Sequence, residues 1–256
     1  MTLDVEQSAS LAPGANETVY EIPDLSNQSI LDAYNAVVSD NTADVISSSF
    51  GGCEQGASVD NADDQVFAQG VAQGQTWFAS SGDQGSNCYP SNATGVSMPS
   101  SDPNVVAVGG TTLSTDNSGN YAGESAWSGS GGGVSSDWAL PPYQQNVAGE
   151  ASTSNRNVPD VALNADPNSG RRVGVPAPRF NGRRYERVVT GRRSRIRRHR
   201  RSQRAPGLAN NRIYALASGG GPFHDVTIGS NGAYTPGYDN VTGWGSFDGN
   251  ALLDAF

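Results

Sequence analysis

The chain has 256 residues, of which 32 are glycine, and it carries a formal net charge of −9. This length is sufficient for one sizeable core, and no apolar run approaches the ~18 residues that a membrane-spanning helix needs. The acidic charge excludes nucleic acid and anionic membranes as expected partners, because phosphate groups repel such a surface. The charge suits a protein that works at low pH, where many carboxylates are neutral.

The basic side chains are concentrated in one segment. Fourteen of the sixteen lie between residues 171 and 205, all of them arginine, and the chain has no lysine. Outside this arginine-rich segment, two arginines stand against twenty-four acidic residues, a formal charge of −22. The segment is therefore either a functional basic arm or a stretch that does not belong to the original sequence of this fold.

Apolar periodicity predicts alternating helices and strands in the first 112 residues. The predicted helices cover residues 3–11, 26–38 and 62–74, and the predicted strands cover residues 17–22, 44–50, 76–81 and 105–112. Such alternation is typical of an α/β fold. We predict a mainly parallel central sheet with helices on both faces.

The second half of the chain is richer in turn-forming residues. Residues 114–149 are rich in Ser, Gly and Asn and are predicted to be surface loops anchored by Trp127 and Trp138. A strand is predicted over residues 158–165, a helix over 211–217, and loops from 223 to a final short helix near Leu252. We expect one domain over residues 1–256 and a monomer.

Two cysteines, Cys53 and Cys88, allow one disulfide, and the alternative is two free buried thiols. A composition typical of secreted proteins favours the disulfide. Residues 1–20 lack the basic start and apolar run of a signal peptide. Residues 2–5 read as the interior of a helix, so we expect a chain shortened at its front end, without signal or propeptide.

Several segments, taken in order, resemble the sedolisin family of serine-carboxyl peptidases. They are LDVEQSASLAPGA, DVISSSFGG, ASSGDQGS, VVAVGGTTL, VPDVALNADP, FHDVT and GYDNVTGWGS. Together they span nearly all of the chain outside the arginine-rich segment. The resemblance implies a subtilisin-like fold and a secreted endopeptidase that cleaves polypeptides at acidic pH.

The resemblance assigns a catalytic role to Asp4. A histidine base would be protonated in acid, whereas a carboxylate with a suitable pKa can replace it. In this family the base is a Glu four residues before an Asp on the same helix, and that spacing places both carboxyl groups on one face. The Glu would fall one position before Met1. The alternative for Asp4 is an acid in the first turn of a helix, stabilised by the helix dipole.

The second implied catalytic carboxyl is Asp83, which in its protonated form would donate to the oxyanion. The alternative is an Asp in a tight, Gly-flanked turn. The resemblance also assigns pairing with the substrate backbone to Ser49, Phe50 and Gly51. The alternative for these three residues is the end of a core strand.

The resemblance implies a Ca²⁺ site in the C-terminal part of the chain. Oxygen-only ligation that includes two carboxylates suits this cation. The alternative is two loop Asp residues in turns. The implied ligands are the carboxylates of Asp225 and Asp239 and the carbonyl oxygens of Val226, Thr235 and Gly237.

The family's nucleophile motif, Gly-Thr-Ser-x-x-x-Pro, is missing. Family spacing puts its serine near Tyr185 and Glu186, inside the arginine-rich segment. If the reading frame is shifted forward by one base, codons for residues 183–187 can encode Gly-Gly-Thr-Ser, and residues 187–191 then permit the proline. We hypothesise that residues from about 171 to 205 are an out-of-frame translation. Without the serine and the Glu, no peptidase activity is expected.

Two other functions stay open. A non-catalytic binding protein could keep the substrate cleft and use the arginine-rich segment to dock an acidic partner. A nucleic-acid binder is the least favoured, because Phe180 and Tyr185 are the only aromatic residues of that segment available for stacking.

Overall fold

A computed structural model describes residues 2–91, 93–169, 187–192 and 207–255. Five α-helices lie in this part of the chain: α1 (Thr2–Leu11), α2 (Asn27–Asp40), α3 (Ala57–Gln73), α4 (Asn210–Ser218) and α5 (Gly249–Ala255). The strands of the same residues are β1 (Asn16–Glu21), β2 (Val45–Ser48), β3 (Gly52–Cys53), β4 (Thr76–Ser80), β5 (Asn87–Cys88), β6 (Ala93–Thr94), β7 (Ser97–Met98), β8 (Val105–Thr115), β9 (Tyr121–Ala126), β10 (Gly133–Ala139), β11 (Asn155–Val158), β12 (Val161–Asn164), β13 (Arg187–Arg192), β14 (Phe223–His224) and β15 (Ser246–Phe247).

The largest sheet has the strand order β1-β13-β2-β4-β8-β12, with β9 also paired to β8. The strands β2, β4, β8 and β12 are parallel to one another, whereas β13 is antiparallel to both of its neighbours. Helix α3 connects the parallel strands β2 and β4. The predicted α/β fold with a mainly parallel sheet is confirmed.

The two faces of the sheet carry separate apolar cores. On one face, α2 and α3 pack on the sheet through Tyr34 and Phe67, whose rings surround Trp77 of β4. On the other face, Ile213 and Tyr214 of α4 pack against Val106 of β8. Side chains alternate between the two faces along a strand, so neighbouring residues of β4 and β8 belong to different cores.

Residue choice at the ends of α2 explains its bounds. The Ser26 hydroxyl accepts a hydrogen bond from the Ser29 amide at 3.3 Å, which satisfies a free donor of the first turn. Asn41 ends the helix in the left-handed conformation, at φ 44°, and its amide donates to the Val37 carbonyl.

Some element predictions were wrong. Residues 114–149 are not only loops, because β9 extends the sheet beside the second half of β8, and β10 pairs with β11. Both strands contain Gly, Ser and acidic residues and lack an apolar alternation, so backbone pairing rather than sequence pattern defines them. The predicted strand over 158–165 is divided at Pro159 and Asp160, where the chain leaves β11 and enters β12.

Gly207, which follows the arginine-rich segment, is in contact with α3 and β4. The Thr76 hydroxyl donates to the carbonyl of Gly207 at 2.8 Å, and a Cβ at Gly207 would lie 2.8 Å from the Val71 carbonyl oxygen. Of the segment itself the structure describes residues 187–192, the strand β13. No helix among the described residues has the length and apolar character to cross a membrane.

Candidate active site

Two loops that carry candidate residues leave the sheet at the same edge. Strands β2 and β4 are parallel and in register, with Ser48 opposite Ala79. The carboxyl ends of parallel strands lie at one edge, so Ser49, which follows β2, and Asp83, which follows β4, emerge on the same side of the sheet.

Helix α1 brings Asp4 to this edge. The Ser49 hydroxyl donates to the Asp4 carboxylate at 2.6 Å. The Ser8 hydroxyl, one turn along α1, donates to the Asp4 carbonyl at 2.6 Å and to the Glu17 carboxylate. Asp4 is half-buried and fixed beside the strand-end residue Ser49, 45 positions away in the chain.

The loop that carries Asp83 is held by a second loop. The buried Ser81 donates through its hydroxyl to the Gly131 carbonyl at 2.7 Å, and the Gly131 amide donates to the Gly82 carbonyl at 2.9 Å. A Cβ at Gly131 would lie 2.2 Å from the Ser81 carbonyl oxygen, so this close approach requires glycine. Gly82, at φ 119°, turns the chain so that Asp83 is exposed.

The three residues assigned to substrate pairing differ in their surroundings. Ser49 is exposed, whereas Phe50 is 4% exposed and stacks on Tyr34 at a ring distance of 6.0 Å. A Cβ at Gly51 would lie 2.1 Å from the Met98 carbonyl oxygen. The Phe50 side chain therefore belongs to the core, whereas the Ser49 side chain lies at the surface.

A disulfide joins the two strand-end loops. Cys53 and Cys88 are bonded at an S–S distance of 1.99 Å across 35 residues of sequence. Cys53 lies four residues after Ser49, and Cys88 lies five residues after Asp83. The bond limits how far the two segments can separate.

A cavity of about 180 Å³ opens beside the same segment, between α2 and α3. Apolar side chains such as Ile30, Leu31 and Val59 form much of its wall, and Asp60 and Asp63 add two carboxyl groups. Burial raises the pKa of Asp63 to about 6. The wall is therefore less charged in acid than at neutral pH.

The residues implied as calcium ligands lie on two neighbouring loops. The Gly237 amide donates to the Asp225 carboxylate at 2.9 Å, which brings the loops together. In the described part of the chain, no hydrogen bond reaches the carbonyl oxygens of Val226, Thr235 or Gly237. Three unengaged carbonyl oxygens and two carboxylates form a donor set that fits Ca²⁺.

Asp239 is more constrained than Asp225. Its side chain is buried and accepts hydrogen bonds from the amides of Val241 and Thr242, each at 2.8 Å. Burial raises the pKa of Asp239, and the charge of Asp225 adds to this effect. Within the described ranges, no three His, Cys, Asp or Glu side chains cluster as a metal site, so a cation here would depend on carbonyl oxygens as well as on the two carboxylates.

Sequence reasoning missed a group of acidic residues next to this edge. Asp60 lies in the first turn of α3 and is buried beside Asp137 of β10. Asp60 lies seven residues before the buried Phe67, which places both on one face of the helix. An acidic residue on the apolar face of a helix is the sequence signal that could have identified Asp60. Asp137 could not be identified from the sequence, because only the fold brings it close to Asp60.

The position predicted for the nucleophile, near Tyr185 and Glu186, lies outside the described residues.

Known proteins are similar to this chain over most of its length. Sedolisin from Pseudomonas sp. (strain 101) is 34% identical over 288 residues, covering 96% of this chain and 47% of that protein. Kumamolisin from Bacillus sp. (strain MN-32) is 32% identical, covering 99% of this chain and 50% of that protein. Tripeptidyl-peptidase 1 from Mus musculus is 31% identical, covering 73% of this chain and 38% of that protein. The chain thus spans about half the length, or less, of these relatives.

The fold has a solved counterpart. The structure of Pseudomonas sedolisin, a serine-carboxyl proteinase complexed with two molecules of pseudo-iodotyrostatin, matches with a TM-score of 0.71 at 28% identity. The match covers 91% of this chain and 69% of that one. The predicted subtilisin-like fold is confirmed.

A family model described as the subtilase family matches residues 4–192, from Asp4 through β13. The chain therefore belongs to the subtilase family, and its relatives there are the sedolisin-type serine-carboxyl peptidases.

Proposed function

We propose that this chain derives from a serine-type endopeptidase that hydrolyses polypeptides at acidic pH and that uses Asp4 and Asp83 as catalytic carboxyl groups. The observation that carries the proposal is the hydrogen bond from Ser49 to Asp4 at 2.6 Å. It joins α1 to the sheet edge from which Asp83 also emerges. Two carboxyl groups beside a strand end that can pair with a peptide suit acid peptidase chemistry.

The two carboxyl groups have different tasks in this proposal. Asp4 would share a proton with the Glu that the resemblance places one position before Met1, so that the pair accepts the proton of the serine nucleophile. Asp83, protonated in acid, would donate a hydrogen bond to the oxyanion that forms on the substrate carbonyl. The exposed position of Asp83, on a loop tightened by Gly131, supports this role.

Substrate would bind along the backbone of residues 49–51, which follows β2. The cavity between α2 and α3 lies beside this segment and could receive a substrate side chain. Ser49 is also the partner of Asp4, so binding and catalysis would share one strand end. The disulfide between Cys53 and Cys88 supports secretion, because disulfides persist in oxidising compartments.

The chain as written is expected to be inactive. It contains no Gly-Thr-Ser-x-x-x-Pro motif, and the expected position of the serine falls in the arginine-rich segment. Gly207 accepts a hydrogen bond from Thr76, which is consistent with a frame recovered before Ile213. Charged arginines in place of an apolar helix would also be costly to bury.

Calcium would be held by Asp225, Asp239 and three carbonyl oxygens, those of Val226, Thr235 and Gly237. When bound, the ion would join the two loops and neutralise two carboxylates, a structural contribution rather than a catalytic one. The protein's own Gly237 amide already holds Asp225 in place. Asp239 is oriented by the amides of its own turn.

A second candidate is a non-catalytic binding protein whose arginine-rich segment docks an acidic partner. The observation that favours it is β13, which pairs along its length with β1 and β2 and so makes residues 187–192 part of the sheet. A segment that was never selected for this fold would not be expected to pair in this way.

One experiment separates the two candidates. The complete coding sequence of the source locus is expressed as written and with one base shifted across residues 171–205, and both products are assayed on an internally quenched peptide at about pH 4. We expect hydrolysis from the shifted product alone. Hydrolysis by the chain as written would refute its inactivity. Salt-sensitive binding of the chain as written to polyglutamate, with no hydrolysis by either product, would favour the binding protein.

A further inference from the structure

The start of α3 is attached to β10 by carboxyl groups. Gly56 precedes α3, has φ 94°, and offers no side chain to cap the helix. The Gly56 amide instead donates to the Asp137 carboxyl at 3.0 Å, and the Gln55 amide donates to the Asp60 carboxyl at 3.1 Å. The two carboxyl groups thus accept from the amides of adjacent residues, which brings them close together. Two ionised carboxylates in this position would repel each other, and one proton between them relieves the repulsion.

A third acid reinforces the negative charge at this junction. Glu54 accepts hydrogen bonds from the Ser135 hydroxyl at 2.5 Å and from the amide and hydroxyl of Ser136, each at 2.8 Å. Asp60 is 4% exposed, so little water screens it from Glu54 and Asp137. The junction therefore contains three acids within one hydrogen-bonded group.

Among the residues whose side chains the structure describes, no cation faces Asp60. Glu54 precedes α3, Asp137 lies on β10, Asp63 follows Asp60 along α3, and Tyr34 of α2 lines the same cavity. The guanidinium of Arg156 is bound to Asp160, and that of Arg212 donates to the Ala255 carbonyl. In that part of the chain, the ionisable groups that face Asp60 are acids and one tyrosine, so a proton on Asp60 relieves the repulsion.

Proton binding at this junction is expected near neutral pH. Burial is the largest cause of a pKa of about 7 for Asp60; the hydrogen bond and charge of Asp137 and the charge of Glu54 add to it, and the Gln55 amide opposes it. The cavity of about 180 Å³ that Asp60 lines connects the carboxyl group with solvent. Asp60 can therefore gain or lose its proton without unfolding of the domain.

We propose that Asp60 and Asp137 form a proton-sharing pair that fastens the start of α3 to β10 in acid and releases it as the pH approaches neutral. Release would loosen β3, which lies directly before Glu54 and directly after Gly51 of the strand-end segment. The pair would thus be a pH-sensitive device that maintains the cleft wall only in acid. It acts on the fold itself and does not depend on whether the chain cleaves peptides.

The sign of the effect follows from proton linkage. The folded state holds the proton more tightly than the unfolded state, in which an Asp has its ordinary pKa of 3.8. The stabilisation is therefore complete below about pH 4 and is lost as the pH rises through about 7. We expect the loss of this proton to lower Tm by on the order of 5 °C between about pH 4 and pH 8.

The test compares the full chain with Asp137→Asn at about pH 5 and pH 8, by Tm and by amide hydrogen exchange corrected for intrinsic rates. An Asn side chain can accept from the Gly56 amide and donate to an ionised Asp60. We expect the parent to lose protection over residues 52–60 and 133–139 at the higher pH, and the variant to retain it. Asp254→Asn, on the exposed end of α5, is the matched control and should behave as the parent.

Two results would overturn the proposal. One is equal protection of the parent at both pH values, and the other is a Tm difference between parent and Asp137→Asn that does not change with pH. If Asp137→Asn fails to fold, Asp60→Asn provides the same comparison, because it keeps an acceptor for the Gln55 amide and removes the titrating group. If both variants have a lower Tm than the parent by the same amount at both pH values, the two side chains contribute through packing and not through a proton.

Discussion

The Tyr214 hydroxyl donates a hydrogen bond to the buried carboxylate of Asp160 at 2.8 Å. The two residues lie on opposite sides of the arginine-rich segment in the sequence. Asp160 also receives a bidentate pair from Arg156 at 2.7 and 2.8 Å, and a hydrogen bond from the Asn210 amide group at 3.0 Å. Residues from Asn210 onward are therefore part of the same buried network as residues before the segment.

This network predicts a large stability effect. Replacing Asp160 with Asn removes the charge that faces the fully buried Arg156, and we expect a loss of about 3–5 kcal/mol in the free energy of unfolding. Tyr214→Phe removes one hydrogen bond and should cost about 1–3 kcal/mol. Urea denaturation followed by circular dichroism measures both. A loss below about 1 kcal/mol for Asp160→Asn would show that the network does not hold α4 to the sheet.

Asp83 offers a test of oxyanion stabilisation in the frame-restored protein. Asp83→Ala removes the donor, and we expect kcat to fall about 10²–10³-fold with a smaller change in KM. Asp83→Asn keeps an amide donor, so it should retain more activity than Asp83→Ala. Steady-state hydrolysis of a quenched peptide measures both variants. Equal activity of Asp83→Ala and the parent would exclude the assigned role.

The calcium site predicts a metal-dependent stability. Calcium at about 100 times its Kd should stabilise the protein by about 2.7 kcal/mol, and a chelator should remove that gain. Asp225→Asn should remove most of the calcium dependence because it removes one of two ligand charges. Asp116→Asn, on an exposed turn, is the matched control. Scanning calorimetry measures Tm with and without calcium. A Tm of the parent that does not change with calcium would contradict the proposed calcium site.

Replacement of the Asp63 carboxyl group is expected to stabilise the protein at neutral pH. Burial raises its folded pKa to about 6 above the unfolded value of 3.8, so its contribution to stability is lost as the pH rises through about 6. Asp63→Asn removes this cost, and we expect a gain of about 1–2 kcal/mol at about pH 7 and none at about pH 4. The control is Asp32→Asn, on the exposed side of α2. A gain of equal size at both pH values would point to packing instead of ionisation.

The sequence was sufficient for the helices and parallel strands that have an apolar periodicity. The heptad-like spacing of Tyr34, Val37 and Val38 in α2, and the continuous apolar run of β8, correspond to faces that the structure buries. The strands β9 and β10 could not be predicted in this way, because backbone pairing with β8 and β11 stabilises residues of low β propensity.

The candidate site was predictable only in part. The positions of Asp4, Ser49 and Asp83 followed from a resemblance of ordered segments, and the structure adds the contact between Asp4 and Ser49. The pairing of Asp60 with Asp137 spans 77 positions and depends on where β10 passes α3, which no local pattern encodes. Long-range carboxyl pairs of this kind need the fold before they can be recognised.

The most direct test of this account is the nucleotide sequence of the source locus from the codon of Ala165 to that of Tyr214. We expect that a shift of one base reveals Gly-Thr-Ser-x-x-x-Pro, with the serine near Glu186, and that the shifted frame ends close to Gly207. The locus would then descend from an active peptidase. A frame confirmed as written, with no serine motif in either shifted frame, would contradict the account and make the arginine-rich segment a genuine part of a protein that binds rather than cleaves.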